Sequence, residues 1–407
     1  MLKSKFSNAI PSSLLEDNRL ALAISKLPKN YNFEIYKIVW FLKRNQSRRG
    51  YFDPLTVIVA LQFPEGLLLY ACLLSDIFED FADVDCVIMG DVTYGACCVD
   101  DFTAKALGCD SLVHFGHSCL VPINVTEGIR VLYVFVEIQF DISLLEALMV
   151  ENFAITKKLA IISTVQFLSA VHVSKGKLYS TLSKHGYSSI SVPQERPLSG
   201  GEVLGCTAPS LGSSSIDSIL YVGDGRFHLE AMMIANPSAE AYRYDPYSNI
   251  LSREYYDHNK LHSVRLGAIA KAKGCRRIGM ALSTLGRQGS PNILRHLKER
   301  AESLNIEIIP ILISEISPSK LSLFKDVDAY VLSLHITRSW IQVACPRLSI
   351  DWGEAFEKPL LTPYEASVLF GSIPWQSQYP MDYYSKNGLG PWTNYHNGKA
   401  GSNICSK

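Results

Sequence analysis

One pattern occurs three times along the chain: a short apolar run, a turn, and then a segment with helical spacing. The first apolar run of each cycle lies at 57–61, 158–163 and 277–282. Runs that are apolar throughout are typical of strands in a parallel sheet whose two faces are both covered by helices. The sequence therefore predicts an α/β protein built from three similar Rossmann-like units with short parallel sheets.

The length of the chain also favours several domains, because a single hydrophobic core stops growing at roughly 250–300 residues and this chain has 407. Further strands are predicted at 84–89, 111–115, 130–135, 189–192, 218–222, 307–312 and 329–334, and helices at 67–78, 173–185 and 291–304. The predicted domains are a helical arm at 1–50, α/β domains at 51–150, 151–265 and 266–365, and a C-terminal tail at 366–407. The tail is rich in Gly, Pro, Tyr and Trp, and we expect it to wrap the surface.

Composition excludes several classes of protein. With 47% hydrophobic and 19% charged residues, the chain is too apolar to be disordered. Basic and acidic residues both number 39, and this balance argues against a nucleic-acid partner. No stretch approaches the roughly 20 apolar residues of a membrane span, and no apolar region follows the first residues as in a secretory leader. We therefore expect a cytoplasmic protein whose cysteines stay reduced.

The ten cysteines contain no Cys-x-x-Cys pair, which argues against a local metal knuckle. Cys97, Cys206 and Cys345 each lie in a loop past a predicted strand, one in each α/β domain. Since ligands gather at the carboxyl ends of parallel strands, three such units could bring three thiolates together. From spacing alone the alternative stays open that a cysteine is a small core residue. That interpretation is applied to Cys72, Cys86, Cys109, Cys119 and Cys275, and Cys405 is expected to be inert.

Two glycine-containing turns follow predicted strands. In the first, Gly223-Asp224-Gly225, His228 occupies the place of a third glycine, which argues against a dinucleotide site. It forms either an ordinary tight turn or one wall of a ligand pocket. In the second, Arg287-Gln288-Gly289, the arginine and the following helix N-terminus could hold a carboxylate. The alternative there is ordinary helix capping by Ser290, with proline at the first helical position.

Two further groups of side chains carry weaker signals. His114, His117 and Cys119 could contribute to a zinc site, but such a site needs four ligands and buried core histidines are commoner. Asp100 and Asp101 are expected to cap the helix that follows Cys97 and Cys98, where negative charge suits the helix dipole.

Seven segments together carry a resemblance to a known family, at 61–67, 89–101, 112–119, 221–228, 285–289, 345–353 and 379–382. They resemble the diphthamide synthesis family, the 2-(3-amino-3-carboxypropyl)histidine synthases, in their eukaryotic first-subunit form. The resemblance runs from about residue 10 to about residue 395, and its motifs are highly specific.

This resemblance implies three α/β domains around a central [4Fe–4S] cluster, with Cys97, Cys206 and Cys345 as ligands. Cys98 is the rival for the first place, but archaeal relatives that have one cysteine here keep the Gly-Ala-Cys portion, which favours Cys97. Three thiolates leave one iron for S-adenosylmethionine, and no protein side chain is expected to be catalytic beyond the cluster. For the pocket of S-adenosylmethionine we predict Gly223, Asp224, Gly225, Arg287, Gln288 and Gly289.

The implied function is transfer of the 3-amino-3-carboxypropyl group to a histidine of translation elongation factor 2, by a radical mechanism that releases methylthioadenosine. The implied partners are a paralogous second subunit in a heterodimer and a small iron-binding electron donor. The main alternative is a non-catalytic scaffold or electron-relaying subunit of the same complex. We expect such a subunit to lack the middle cysteine, and Cys206 is present here. A third alternative is a structural zinc protein.

Overall fold

The computed structural model describes residues 10–46, 56–90, 95–123, 126, 128–171, 182–212, 215–324 and 339–395. Most of the helix predicted at 173–185 and the strand predicted at 329–334 lie outside these residues. The chain divides into two compact units, residues 1–140 with 165–169 and residues 141–164 with 170–407. Among the described residues, no helix combines the length and the apolar composition that crossing a bilayer requires.

The first unit begins with a small helical region. Its elements are helix α1 Ser12–Leu15, helix α2 Asn18–Ile24, strand β1 Tyr31–Asn32 and helix α3 Ile35–Gln46. The side chain of Asp17 caps α2 by accepting hydrogen bonds from the backbone of Arg19 and Leu20. Ile38 and Leu42 of α3 are fully buried in the same hydrophobic cluster as the first sheet. These helices therefore complete the core of the first unit.

The first sheet has four parallel strands. They are β2 Ile58–Gln62, β3 Asp85–Met89, β4 Ser111–Phe115 and β5 Arg130–Val134, in the spatial order β3–β2–β4–β5. The same stretch contains a 3₁₀ helix Glu65–Tyr70, helices α4 Ala71–Ala82 and α5 Asp101–Ala106, and strand β6 Glu137–Ile138, which pairs antiparallel with β1. The central strand β4 is buried along its whole length, as the apolar pattern predicts.

The second sheet has five strands, β7 Leu159–Ser163, β8 Ile190–Ser191, β9 Ser218–Val222, β10 Glu240–Asp245 and β11 Ile250–Glu254. Their spatial order is β11–β10–β9–β7–β8, and all pairings are parallel except the β10–β11 hairpin. The helices along this stretch of chain are α6 Ser143–Asn152, a 3₁₀ helix Val165–Phe167, α7 Leu168–Val171 and α8 Phe227–Ala235. Of these, residues 165–169 belong to the first unit.

The third sheet has four parallel strands, β12 Arg277–Ser283, β13 Glu307–Ile313, β14 Ser339–Val343 and β15 Leu360–Leu361, in the order β13–β12–β14–β15. Its helices are α9 His258–Ala272, α10 Pro291–Glu302, α11 Pro318–Ser322, α12 Arg347–Trp352, a 3₁₀ helix Gly353–Ala355 and α13 Pro363–Leu369. The α/β class and the short parallel sheets predicted from sequence are therefore confirmed.

A buried ion pair holds the third sheet to the segments around it. Arg265 of α9 and Glu365 of α13 are both almost fully buried, and the guanidinium donates to both carboxylate oxygens at 2.7 and 2.6 Å. Arg265 also donates to the carbonyls of Ser349 and Leu360, at 2.8 and 2.7 Å. The hydroxyl of Tyr379, in the tail, donates to Glu365 at 2.9 Å. A buried pair with this many hydrogen bonds offsets its desolvation cost.

The tail corrects one expectation. Tyr379, Met381 and Tyr384 expose only 2–4% of their surface, and the first two belong to the core of the second sheet. The tail between 379 and 384 is therefore part of the interior rather than a surface wrap. Tyr379 packs edge to face on Tyr364 of α13, with ring centroids 5.1 Å apart.

Candidate metal centre

In the first unit, Cys97 lies partly exposed in the turn between β3 and α5, and its neighbour Cys98 is buried. Gln62, at the end of β2, organises this turn. Its amide nitrogen donates to the carbonyl of Cys98 at 2.8 Å, and its amide oxygen accepts the backbone N–H of Asp100 at 3.4 Å. Asp100 caps α5 by accepting the backbone N–H of Thr103 at 3.0 Å, as predicted. The cysteine turn is thus fixed to the end of a central strand.

Two buried histidines continue this network. Nδ1 of His114, at the end of β4, lies 2.8 Å from the amide oxygen of Gln62, and the His114 and His117 rings are 5.4 Å apart. Burial lowers the pKa of His114 well below its ordinary value, and the neighbouring His117 adds to the shift. Burial lowers the pKa of His117 to about 4, against a smaller opposing effect of a backbone hydrogen bond to Phe115. Both rings are therefore neutral near pH 7.

In the second unit, Cys206 occupies a tight turn between β8 and β9 and is partly exposed. The backbones of Leu204 and Thr207 close this turn with two hydrogen bonds of 3.0 and 3.2 Å. The tail lies against it: Tyr383 donates its N–H to the carbonyl of Cys206 at 3.3 Å, and Tyr384 donates its N–H to the hydroxyl of Thr207 at 3.0 Å. Sequence reasoning missed this support, because the two segments are 177 residues apart.

Cys345 is also in the second unit and is partly exposed. It lies two residues after the end of strand β14. Its carbonyl accepts hydrogen bonds from the side chain of Gln342 at 3.0 Å and from the backbone of Leu348 at 3.1 Å. Strand β14 was not predicted, because Ser339 and Gln342 interrupt its apolar pattern. In the structure Gln342 is buried but uses its amide to hold the cysteine turn and Ser349.

Arg347 connects the two cysteine turns of the second unit. It is the first residue of α12 and exposes only 3% of its side chain. Its guanidinium pairs with Asp351 at 2.9 Å and with Glu230 of α8. It also donates to the carbonyl of Phe227 at 2.7 Å and to the carbonyl of Gly205 at 3.4 Å. Arg347, which lies two residues after Cys345, therefore contacts the residue that immediately precedes Cys206.

The remaining cysteines divide by their surroundings. Cys98, Cys109 and Cys275 are buried, and Cys72 and Cys119 are exposed. Burial raises the pKa of Cys86 to about 12 and that of Cys275 to about 11, so these thiols are poor sources of thiolate. Across the residues that the structure describes, no three His, Cys, Asp or Glu side chains are grouped as they would be around one metal ion. The ligand set of Cys97, Cys206 and Cys345 stays a prediction from the resemblance.

The first glycine turn has strict local requirements. Gly225 has a positive φ of 60°, and a Cβ on Gly223 would lie 2.6 Å from the hydroxyl of Tyr221. The next residues, Arg226 and Phe227, line an open cleft of about 770 Å³ whose other walls include Tyr255, Tyr256, Lys260 and Trp352. The shape of this turn therefore requires glycine at both positions, and the residues that follow it form part of one wall of the cleft.

The second turn, Arg287–Gly289, links β12 to α10. A Cβ on Gly289 would lie 2.2 Å from the backbone oxygen of Ser283, so only glycine fits. Tyr384 of the tail donates its hydroxyl to the carbonyl of Gln288 at 3.4 Å. Ser290 stands at the N-cap with Pro291 at the first helical position, as expected, but its side chain makes no capping hydrogen bond. The structure therefore has Ser290 and Pro291 at the positions that the capping alternative expects, without a hydrogen bond from the serine side chain.

Comparison with known proteins identifies the family. Residues 63–380 match the family model described as "Putative diphthamide synthesis protein". Proteins named 2-(3-amino-3-carboxypropyl)histidine synthase subunit 1 are 52% identical in Gallus gallus, over 95% of this chain and 88% of that protein, and 51% identical in Homo sapiens, over 97% and 84%. The relative of that name in Schizosaccharomyces pombe is 49% identical over 96% of this chain and 85% of its own length.

A solved structure shows the same fold. The crystal structure of Dph2 from Pyrococcus horikoshii with a 4Fe–4S cluster superposes with a TM-score of 0.68 at 24% identity, covering 87% of this chain and 94% of that one. This likeness shows the fold, and the family match and the sequence relatives show the family. The chain belongs to the diphthamide synthesis family, among the proteins named 2-(3-amino-3-carboxypropyl)histidine synthase subunit 1.

Proposed function

We propose that this chain is the catalytic subunit of the first step of diphthamide synthesis, and that it carries a [4Fe–4S] cluster on Cys97, Cys206 and Cys345. Its relatives are named as a synthase subunit, and the structural neighbour from Pyrococcus horikoshii contains such a cluster. The observation that carries the proposal is the state of the three thiols. Each is partly exposed in a turn that follows a strand, whereas Cys98, Cys109 and Cys275 are buried. Partly exposed thiols are suited to metal ligation.

The proposed reaction transfers the 3-amino-3-carboxypropyl group of S-adenosylmethionine to a histidine of elongation factor 2 and releases methylthioadenosine. When bound, a cluster with three thiolate ligands would supply an open iron site and the electron for cleavage of a sulfonium C–S bond. The part of this chain is to hold the thiolates and orient the cosubstrate. Arg287 and the N-terminus of α10 would bind its carboxylate, since a guanidinium and helix N–H groups both favour an anion.

The proposed partners follow from membership of the diphthamide synthesis family. The name subunit 1 in the relatives indicates a complex with more than one kind of subunit. We propose a paralogous second subunit as the stable partner, a small iron-binding protein as electron donor, and a cytoplasmic location, where elongation factor 2 is met.

The test is anaerobic reconstitution of the chain with iron, sulfide and its second subunit, followed by addition of a reductant and S-adenosylmethionine. The nucleoside product is then identified by mass spectrometry. We expect methylthioadenosine, and we expect it to disappear with Cys206→Ser but not with Cys72→Ser, which replaces an exposed cysteine of α4.

Two other outcomes would contradict the proposal in different ways. Formation of 5′-deoxyadenosine would show that a different C–S bond is cleaved. A fully loaded cluster that cleaves no S-adenosylmethionine would instead favour the scaffold or electron-relaying subunit.

A further inference from the structure

Arg347 is a buried charge that the proposed chemistry does not use. Its Nε lies 3.0 and 2.9 Å from the two carboxylate oxygens of Asp351, and Nη2 pairs with Glu230. A buried guanidinium is costly unless most of its N–H groups are hydrogen-bonded. Two carboxylates from two helices satisfy this requirement, so the side chain is held in one position.

The remaining nitrogen of the guanidinium is directed at the Cys206 turn. Nη1 donates to the carbonyl of Phe227 at 2.7 Å and to that of Gly205 at 3.4 Å. The guanidinium carbon also stands 4.4 Å from the centre of the Phe227 ring. A Cβ on Gly205 would lie only 2.0 Å from this ring, so the backbone of Gly205 packs directly on Phe227. Arg347 thus fixes the surface against which the Cys206 turn rests.

The contact between Arg347 and Gly205 affects both thiols, because each of these two residues lies close in sequence to one of the cysteines. Arg347 follows Cys345 by two residues, and Gly205 immediately precedes Cys206. A shift of the guanidinium would therefore move the backbone beside each cysteine. Lysine is a poor substitute, because one ammonium group lacks the planar fork that contacts Asp351, Glu230 and Phe227 at once.

Arg265 provides a natural comparison in the same unit. It is as deeply buried, pairs with Glu365, and donates to the carbonyl of Ser349 in α12. Its hydrogen bonds go to Glu365, Ser349 and Leu360, whereas those of Arg347 reach the carbonyls of Gly205 and Phe227. Arg265 thus anchors the helix after Cys345, and Arg347 connects that helix to the Cys206 turn.

We propose that Arg347 is a positioning residue that sets the separation of the Cys206 and Cys345 thiols and so governs how firmly they hold iron. This inference rests on the proposed function, since it takes both cysteines as ligands. It predicts an effect on the metal centre that exceeds any effect on the stability of the fold. Loss of a residue that orients metal ligands typically weakens metal binding by about 10–100-fold.

The test compares Arg347→Lys with Arg265→Lys in the full chain, co-expressed with its second subunit and reconstituted anaerobically. Iron retention is measured by competition with a chelator, the reduced cluster by electron paramagnetic resonance, and the fold by the thermal midpoint. We expect Arg347→Lys to hold iron about 10-fold more weakly and to shift the resonance spectrum. Arg265→Lys should lower the thermal midpoint at least as much, yet keep the iron and the spectrum.

A second variant keeps the test decisive if Arg347→Lys does not fold. Phe227→Leu removes the ring between Arg347 and Gly205, and since this side chain is 44% exposed, the fold should tolerate the change. We expect a smaller loss of iron in the same direction. Normal iron retention and an unchanged spectrum in the folded variants would overturn the role of Arg347.

Cys206→Ser, measured in the same experiments, distinguishes a failure of the ligand set from a failure of the positioning role of Arg347. If it loses the cluster while the Arg347 and Phe227 variants behave like the natural chain, the ligand set stands and only the positioning role fails. If Cys206→Ser keeps a normal cluster, the ligand set itself is wrong and the inference about Arg347 falls with it.

Discussion

At the scale of single residues, Gln62 is the polar side chain on which the Cys97 turn depends. It is buried and contacts Cys98, Asp100 and His114. We predict that Gln62→Ala lowers the free energy of unfolding by about 1–3 kcal/mol, because it leaves buried polar groups unpaired. Denaturant titration of the full chain measures this loss. The matched control Gln139→Ala replaces an exposed glutamine, and equal midpoints for the two variants would contradict the assigned role.

The histidines of the same network predict a dependence of stability on pH. The pKa of His117 falls from an ordinary value near 6.5 to about 4 on folding. The folded chain therefore favours the neutral ring, and its contribution to stability is full above about pH 6.5 and is lost as the pH falls towards 4. We expect His117→Gln to make the thermal midpoint fall less steeply over this range. An unchanged slope would mean that His117 does not control the acid sensitivity of the fold.

How far sequence predicts such residues depends on whether their contacts are local. Asp100 was correctly expected to cap α5, because a cap acts three residues away. The role of Gln62 was not foreseen, because its partners lie 36 and 52 residues further along the chain. The candidate ligands came from the resemblance, and their spacing alone did not separate them from core cysteines.

At the scale of secondary structure elements, the turn between β12 and α10 admits no side chain at Gly289. A Cβ there would meet the backbone oxygen of Ser283 and the side chain of Leu282 at 2.2 and 2.8 Å. We predict that Gly289→Ala destabilises the chain by roughly 1–3 kcal/mol, since a backbone atom cannot swing aside. The control is Gly267→Ala in helix α9, where the added methyl group meets nothing within 4 Å and should stabilise the helix. Comparable unfolding midpoints for the two variants would contradict the assigned close approach.

Apolar strands were predictable at this scale and polar ones were not. Strands β4, β7 and β9 are buried along their whole length, and their apolar runs identified them. The β10–β11 hairpin was missed because charged residues occupy it. In the structure these charges pair across the strands, as in Arg243 with Glu254 at 3.2 Å. Cross-strand ion pairs of this kind leave no apolar pattern in the sequence.

At the scale of the whole molecule, the ion pair of Arg265 and Glu365 joins α9, the third sheet and the tail. We predict that Glu365→Gln lowers the free energy of unfolding by about 3–5 kcal/mol, because it leaves a buried guanidinium without its carboxylate. The control Glu302→Gln breaks an exposed pair with Lys298 and should change stability little. Denaturant titration of both variants measures this difference in the free energy of unfolding. A midpoint for Glu365→Gln close to that of the natural chain would contradict the prediction.

The fold class was predictable because three apolar cycles require three covered sheets. The position of the tail was not predictable, because its aromatic residues show no helical or strand period. Their burial depends on partners such as Glu365 and Thr207, which only the folded chain brings to them.

The packing of the tail on the Cys206 turn also sets an order of events during synthesis. The tail residues that contact this turn are made 177 residues after it. At roughly 5–20 residues per second, a ribosome needs about 10 to 35 s to add them. Throughout that interval the turn of the nascent Cys206 lacks its contacts with the tail, and the thiol can react with oxygen or bind other metal ions. Loading of any group that needs the finished turn therefore waits until the tail has been made, which makes protection of the emerging chain a requirement of its biogenesis.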